Sequence, residues 1–124
     1  MPTCHKVLIV DDNLTNLKLM KIILSLEGYE IKTAINAQET LEIIPEFNPI
    51  LILMDLQLPG MDGLELTRQI KNNAKYRDII IIAVTAYAMP GDKKKSLDAG
   101  CDGYIPKPIN PQTLPQIVAE YINY

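Results

Sequence analysis

Three carboxylates, a hydroxyl and an ammonium stand at the ends of apolar runs that lie far apart in the sequence. Asp11 and Asp12 follow the run 7–10, Asp55 follows 50–54, Thr85 follows 79–84, and Lys107 lies just past 103–105. Carboxylates about 4 Å apart repel by roughly 1–4 kcal/mol per pair in wet to partly screened surroundings. Three of them together either shift a pKa or recruit a cation. Oxygen-only ligands select a hard ion, and magnesium keeps several waters while using one or two carboxylates. Calcium is disfavoured, because the sequence holds no loop of EF-hand spacing. A magnesium-loaded carboxylate site with an ammonium and a hydroxyl beside it suits a phosphoryl group, which carries about −1.5 to −2 charges at neutral pH. The metal and Lys107 would then offset the charge growing on the transferred group. Asp55 would be the in-line nucleophile, forming an acyl phosphate. Thr85 would donate to a phosphoryl oxygen, and the small Ala86 after it leaves room for the donor.

Each residue alone has a plainer role. Asp12 or Thr85 can cap a helix, Asp55 can begin a polar loop, and Lys107 can be a solvated lysine. Their joint placement carries the argument, and it depends on the elements that deliver them. Uninterrupted apolar runs of strand length suit strands covered on both faces, as in a parallel sheet; 30–33 and 103–105 read as weaker outer strands. Helical patterns lie between. After Asn13, Leu17, Met20, Ile23 and Leu24 form a dry face and Gly28 a left-handed stop. Asn36 with Glu39 has capping-box spacing before a stripe of Ala37, Leu41 and Ile44, which Pro45 should end or bend. Asp62 with Glu65 repeats that spacing before Leu66 and Ile70. A fourth helix is expected from about Pro90 to Ala99, closed by Gly100; a fifth from Asn110, with Pro115 set to delay or kink its start. Strand and helix alternate five times, so the fold class is α/β, a doubly wound five-stranded parallel sheet filling residues 1–124 as one domain. In such a sheet all strand C-termini emerge on one edge, where ligands bind.

Composition excludes several classes. A chain of 124 residues with 48% apolar and 22% charged residues is ordinary for one globular domain. The net charge of −3 gives no electrostatic reason to expect nucleic acid or an anionic membrane as partner. No run is apolar and long enough to span a bilayer, and residues 1–6 lack the apolar stretch of a secretion signal, so a cytoplasmic address is expected. Cys4 and Cys101 read as small buried hydrophobes, and His5 as an exposed terminal residue; with one imidazole a zinc site is disfavoured.

The segments VLIVDDN ending at Asn13, LILMDLQLPGMDG ending at Gly63, VTAYA ending at Ala88 and GYIPKPI ending at Ile109 resemble the receiver-domain family of two-component signalling, the family of CheY. The resemblance covers essentially the whole chain, and the separation of Asp55 and Thr85 fits it. It implies a flavodoxin-like strand order of 2-1-3-4-5. It implies Mg2+ bound directly by Asp12, Asp55 and the backbone carbonyl of Gln57, with Asp11 acting mainly through a water. It implies Lys107 paired with the phosphoryl group, a cis Lys107–Pro108 bond, and a switch in which Thr85 moves toward the phosphoryl oxygens and Tyr104 rotates inward. The surface made by the fourth helix, fifth strand and fifth helix would respond. The implied partners are a sensor histidine kinase or histidine phosphotransfer protein as donor, docking near Leu14, Thr15 and Lys18, and a downstream target protein. The chain would be a switch that promotes its own phosphorylation and dephosphorylation, not an enzyme for an outside substrate. It reads as a stand-alone receiver of the chemotaxis or DivK-like kind; the alternatives are a phosphorelay intermediate or a receiver fragment of a larger hybrid kinase or regulator.

At the flanking positions, Tyr87 is expected to shield the acyl phosphate from water, and Gln57 lies where a side chain can obstruct or align it. Lys93, Lys94 and Lys95 read as a solvated face, with selection of an acidic partner as the alternative. Three rivals remain. A haloacid-dehalogenase-like phosphatase needs an acid two residues after its nucleophile, where Gln57 stands. A flavodoxin-like electron carrier needs a phosphate-cradling loop where Asp11 and Asp12 put negative charge. A receiver fold used only for docking has no need of the complete acidic set.

Overall fold

The computed structural model describes residues 5–58, 60, 62–85 and 92–122. Its strands are β1 (Lys6–Val10), β2 (Glu30–Ala34), β3 (Leu51–Asp55), β4 (Ile80–Thr85) and β5 (Gly103–Pro106). All are parallel, in the order β2-β1-β3-β4-β5, the flavodoxin-like order expected. The three central strands are nearly sealed from water because helices cover both faces. On one face α1 (Leu14–Ser25) and α5 (Leu114–Ile122) pack over Val7, Ile9, Leu51, Leu53, Ile82 and Val84. On the other, α2 (Ala37–Phe47), α3 (Gly63–Asn72) and α4 (Asp92–Asp98) cover the alternate residues, among them Leu8, Val10, Ile52, Met54 and Ala83. Continuous apolar runs therefore split by parity between two cores.

Caps and turns follow local chemistry, with several departures. Asn13 and Asn36 accept the backbone N–H groups of Asn16 and Glu39 at 3.1 and 2.8 Å. Glu39 reaches back to the N–H of Ile35 instead of Asn36, at 3.0 Å. Asp62 caps Leu64 at 2.9 Å, but Glu65 turns to Arg68, so the second capping box is half formed. Pro45 does not end α2: the helix runs to Phe47, whose ring is buried, and Asn48 closes it in the left-handed conformation. Burial of Phe47 secures the turn that the proline weakens. Leu41 is exposed, and Thr40 takes its place in the core with its hydroxyl donating to the Asn36 carbonyl at 2.8 Å. Helix α1 stops at Ser25, and Gly28 holds its positive φ of 92° after a further turn. Asn110 starts a turn, and α5 follows only from Leu114, the delay expected of Pro115. His5 is half-buried, with its ring 6.5 Å from that of Tyr29, so it is not a free terminal residue. Cys101 is buried, as expected; Cys4 and Pro90 lie outside the described residues. No helix among the described residues is long and apolar enough to cross a membrane.

Candidate functional site

Strand register brings the acidic residues to one edge. Val10 is level with Met54, so Asp11 and Asp55 are adjacent at the C-terminal ends of β1 and β3. Asp11 is held there by its N–H donating to the Ala34 carbonyl at 3.0 Å, and Asp55 is itself the last residue of β3. Lys107 arrives from the far side of the sheet. Its N–H donates to the Thr85 carbonyl at 2.7 Å, and its ammonium lies 3.2 Å from Asp11 Oδ2 and 3.3 Å from Asp55 Oδ2. Asp11 and Asp55 are 1% and 3% exposed, whereas Asp12 is open to solvent. The Lys107–Pro108 peptide is cis.

The remaining oxygens are aimed by short turns. Asp11 Oδ1 accepts the N–H of Asn13 at 2.8 Å, and Asp55 Oδ1 accepts that of Gln57 at 2.9 Å. Sequence reasoning did not single out Asn13 for this role; the only signal was an aspartate two residues before it, the spacing of an Asx turn. Burial pushes the Asp55 carboxyl above the usual carboxylate range. The Gln57 N–H works against that shift, the Asp11 charge adds to it, and Lys107 opposes it. For Lys107 burial favours the neutral amine, yet Asp11 and Asp55 outweigh it and raise its pKa above the ordinary lysine value.

This donor set fits a magnesium ion. Asp11, Asp12 and Asp55 each offer an oxygen within 4.8 Å of the others. Asp11 Oδ2 is buried and receives no well-aligned hydrogen bond, although Lys107 stands 3.2 Å away. A buried anionic oxygen in that state is costly, and a hard cation is the partner that oxygen ligands of this kind satisfy.

Thr85 and Tyr104 occupy the neighbouring strands. Thr85 ends β4 and is 3% exposed, while Tyr104 is half-buried beside Ala83. Ala83 and Thr85 are two apart on one strand, so Thr85, Ala83 and Tyr104 share the sheet face covered by α2, α3 and α4. Gln57 has an exposed side chain next to Asp55. Lys94 and Lys95 are exposed on α4; the Lys93 side chain lies outside the described residues, as do Ala86, Tyr87 and Ala88.

Comparison with known proteins gives one answer. Residues 7–119 match the family model of the response regulator receiver domain. The polar-differentiation response regulator DivK of Brucella anthropi is 41% identical over 116 residues, 94% of each chain. A CheY-like response regulator receiver domain protein from Methanospirillum hungatei superposes with a TM-score of 0.90 at 37% identity, over 98% of this chain and 95% of that one. The receiver domain of a sensor histidine kinase from Pseudomonas aeruginosa, with a magnesium ion coordinated in its active-site cleft, superposes with a TM-score of 0.89 at 30% identity, over 98% of this chain and all of that one. By fold, by sequence and by the acidic cluster at the head of its sheet, this chain belongs to the response-regulator receiver domain family.

Proposed function

We propose that this chain accepts a phosphoryl group on Asp55 from a phosphohistidine donor and uses it to switch a binding surface. The observation that carries the reading is the pairing of a buried, underbonded acidic pocket with one lysine that touches both buried carboxylates. Asp11, Asp12, Asp55 and the Gln57 carbonyl would hold Mg2+, whose charge would stabilise the oxygens of the transferred group. Asp55 attacks phosphorus; the P–N bond to the donor histidine breaks with its electron pair returning to the imidazole, and an acyl phosphate forms. Before transfer, Lys107 holds the Asp55 carboxylate ready; after transfer, it follows the negative charge onto the phosphoryl oxygens. Hydrolysis of the acyl phosphate, which releases inorganic phosphate and restores the Asp55 carboxylate, resets the protein.

The donor would be a sensor histidine kinase or histidine phosphotransfer protein. Leu14 and Ile22 on α1 are more than half exposed, and a groove of about 350 Å³ lined by Asn16, Leu19, Lys107, Pro108 and Ile109 opens beside Lys107. An apolar helix face next to the acceptor suits a helical donor. Thr85 would be drawn to the phosphoryl oxygens and Tyr104 would follow inward, changing the α4–β5–α5 surface seen by a downstream target. Their shared sheet face supports this coupling. A cytoplasmic address goes with the reading.

Acetyl phosphate with magnesium tests it. The intact mass should rise by one phosphoryl group, the rise should vanish when magnesium is removed, and Asp55→Asn should abolish it. An unchanged mass, or an increment that survives Asp55→Asn, would overturn the assignment.

A further inference from the structure

Gly63 is the first residue of α3, directly after the capping Asp62. A Cβ added there would collide with the Asp55 carbonyl oxygen and stand 2.7 Å from the Leu56 Cα. Both are backbone atoms, so relief requires moving the 55–56 peptide or the helix. That peptide is held from several directions. The Leu56 N–H donates to the Val84 carbonyl at 3.3 Å, and the Leu56 carbonyl accepts the Gly63 N–H at 3.2 Å. From the helix side, the fully buried Thr67 donates its hydroxyl to the Gly63 carbonyl at 2.8 Å and accepts the Cys101 thiol at 3.8 Å.

We infer that Gly63 is a positioning residue, whose bare Cα lets the first turn of α3 lie directly on the peptide that presents Asp55. The contact sets how far the turn from Asp55 to Gln57 stands from Asp11, and hence the spacing of the oxygens offered to a cation. Gly28 provides the contrast. It has a positive φ of 92° but open space where its Cβ would be, and it precedes β2 at the opposite edge of the sheet. A side chain there strains the backbone without touching the site.

The consequence for phosphoryl transfer rests on the acceptor role proposed for Asp55; the consequence for metal affinity does not. Wild type, Gly63→Ala and Gly28→Ala are therefore compared by thermal unfolding across a magnesium titration and by phosphoryl uptake from acetyl phosphate. Gly63→Ala should bind Mg2+ about tenfold or more weakly, the scale seen when a metal ligand loses its support, and uptake should fall in step. Gly28→Ala should lose Tm yet keep wild-type magnesium affinity. If Gly63→Ala fails to fold, Thr67→Val, which removes the donor to the Gly63 carbonyl together with the weak acceptor of the Cys101 thiol, should weaken Mg2+ several-fold. Wild-type affinity in the folded Gly63→Ala, or in Thr67→Val where Gly63→Ala does not fold, overturns the inference, as does equal weakening in Gly28→Ala. If the wild type binds Mg2+ but takes no phosphoryl group, the acceptor assignment fails while the positioning role is still judged by the affinities.

Discussion

The two edges of the sheet each set a lysine against aspartate, and they are built to opposite ends. At the N-terminal edge Lys71, from the last turn of α3, places its ammonium 3.2 Å from the Arg77 carbonyl, 2.6 Å from that of Ile79 and 2.9 Å from Asp102 Oδ2. The same Asp102 oxygen accepts the Ile81 N–H at 2.9 Å, and the Asp102 N–H returns to the Ile81 carbonyl at 2.7 Å. One cation meets one partly exposed anion, and all three ammonium hydrogens have acceptors. At the C-terminal edge one cation faces two buried carboxylates and a third within reach, at longer distances, with one buried oxygen poorly bonded. The first arrangement is a finished clasp joining α3, β4 and β5. The second is negative in balance and unsaturated, which is how a site differs from a strut.

That contrast can be broken by exchanging one lysine at a time. Lys107→Met strands two buried carboxylates and should cost about 3–5 kcal/mol of stability in metal-free buffer. Magnesium should return part of this in urea unfolding, because the cation takes over the neutralising role. Lys71→Met leaves two carbonyls and a half-exposed carboxylate without their donor, a loss of about 1–3 kcal/mol that magnesium should leave untouched. A magnesium-dependent recovery in Lys71→Met, or none in Lys107→Met, would erase the distinction.

Smaller effects sharpen it. Magnesium at ten times its Kd should stabilise the wild type by roughly 1.4 kcal/mol, read as a concentration-dependent rise in Tm. Asp55→Asn should remove most of that increment. In metal-free buffer the same variant should be slightly more stable than wild type, by about 1 kcal/mol or less. The sign follows from linkage: a carboxyl whose pKa is raised by burial binds its proton more tightly in the folded state, so its ionised form opposes folding at neutral pH. The advantage should shrink as pH falls through the Asp55 pKa, where the wild-type group becomes neutral too. A metal-free Asp55→Asn less stable than wild type at neutral pH would show that Lys107 more than offsets the cost of burial.

The site was largely legible in the sequence because its residues break a pattern. An apolar run that stops at an aspartate marks a strand end, and parallel topology puts such ends on one edge; Asp11, Asp55 and Lys107 do meet there. The strand order was not legible from periodicity and came from the family resemblance. That α2 continues past Pro45 was not legible, because local propensity cannot see Phe47 securing the next turn, and Leu41 was misplaced because Thr40 can be buried once its hydroxyl finds the Asn36 carbonyl. The Lys71–Asp102 clasp was invisible: its members are 31 residues apart and each resembles an ordinary surface charge. Gly63 was seen as part of a motif, but the reason for a glycine there is a contact across the fold.

The most direct test of the central claim reads the chemistry at a single carbon. After treatment with acetyl phosphate and magnesium, borohydride reduces an acyl phosphate to an alcohol at the modified side chain, and peptide sequencing by mass spectrometry locates it. The account predicts reduction at Asp55, dependent on both donor and metal. Reduction at another carboxylate, or label at Asp55 that forms equally well without magnesium, would contradict it.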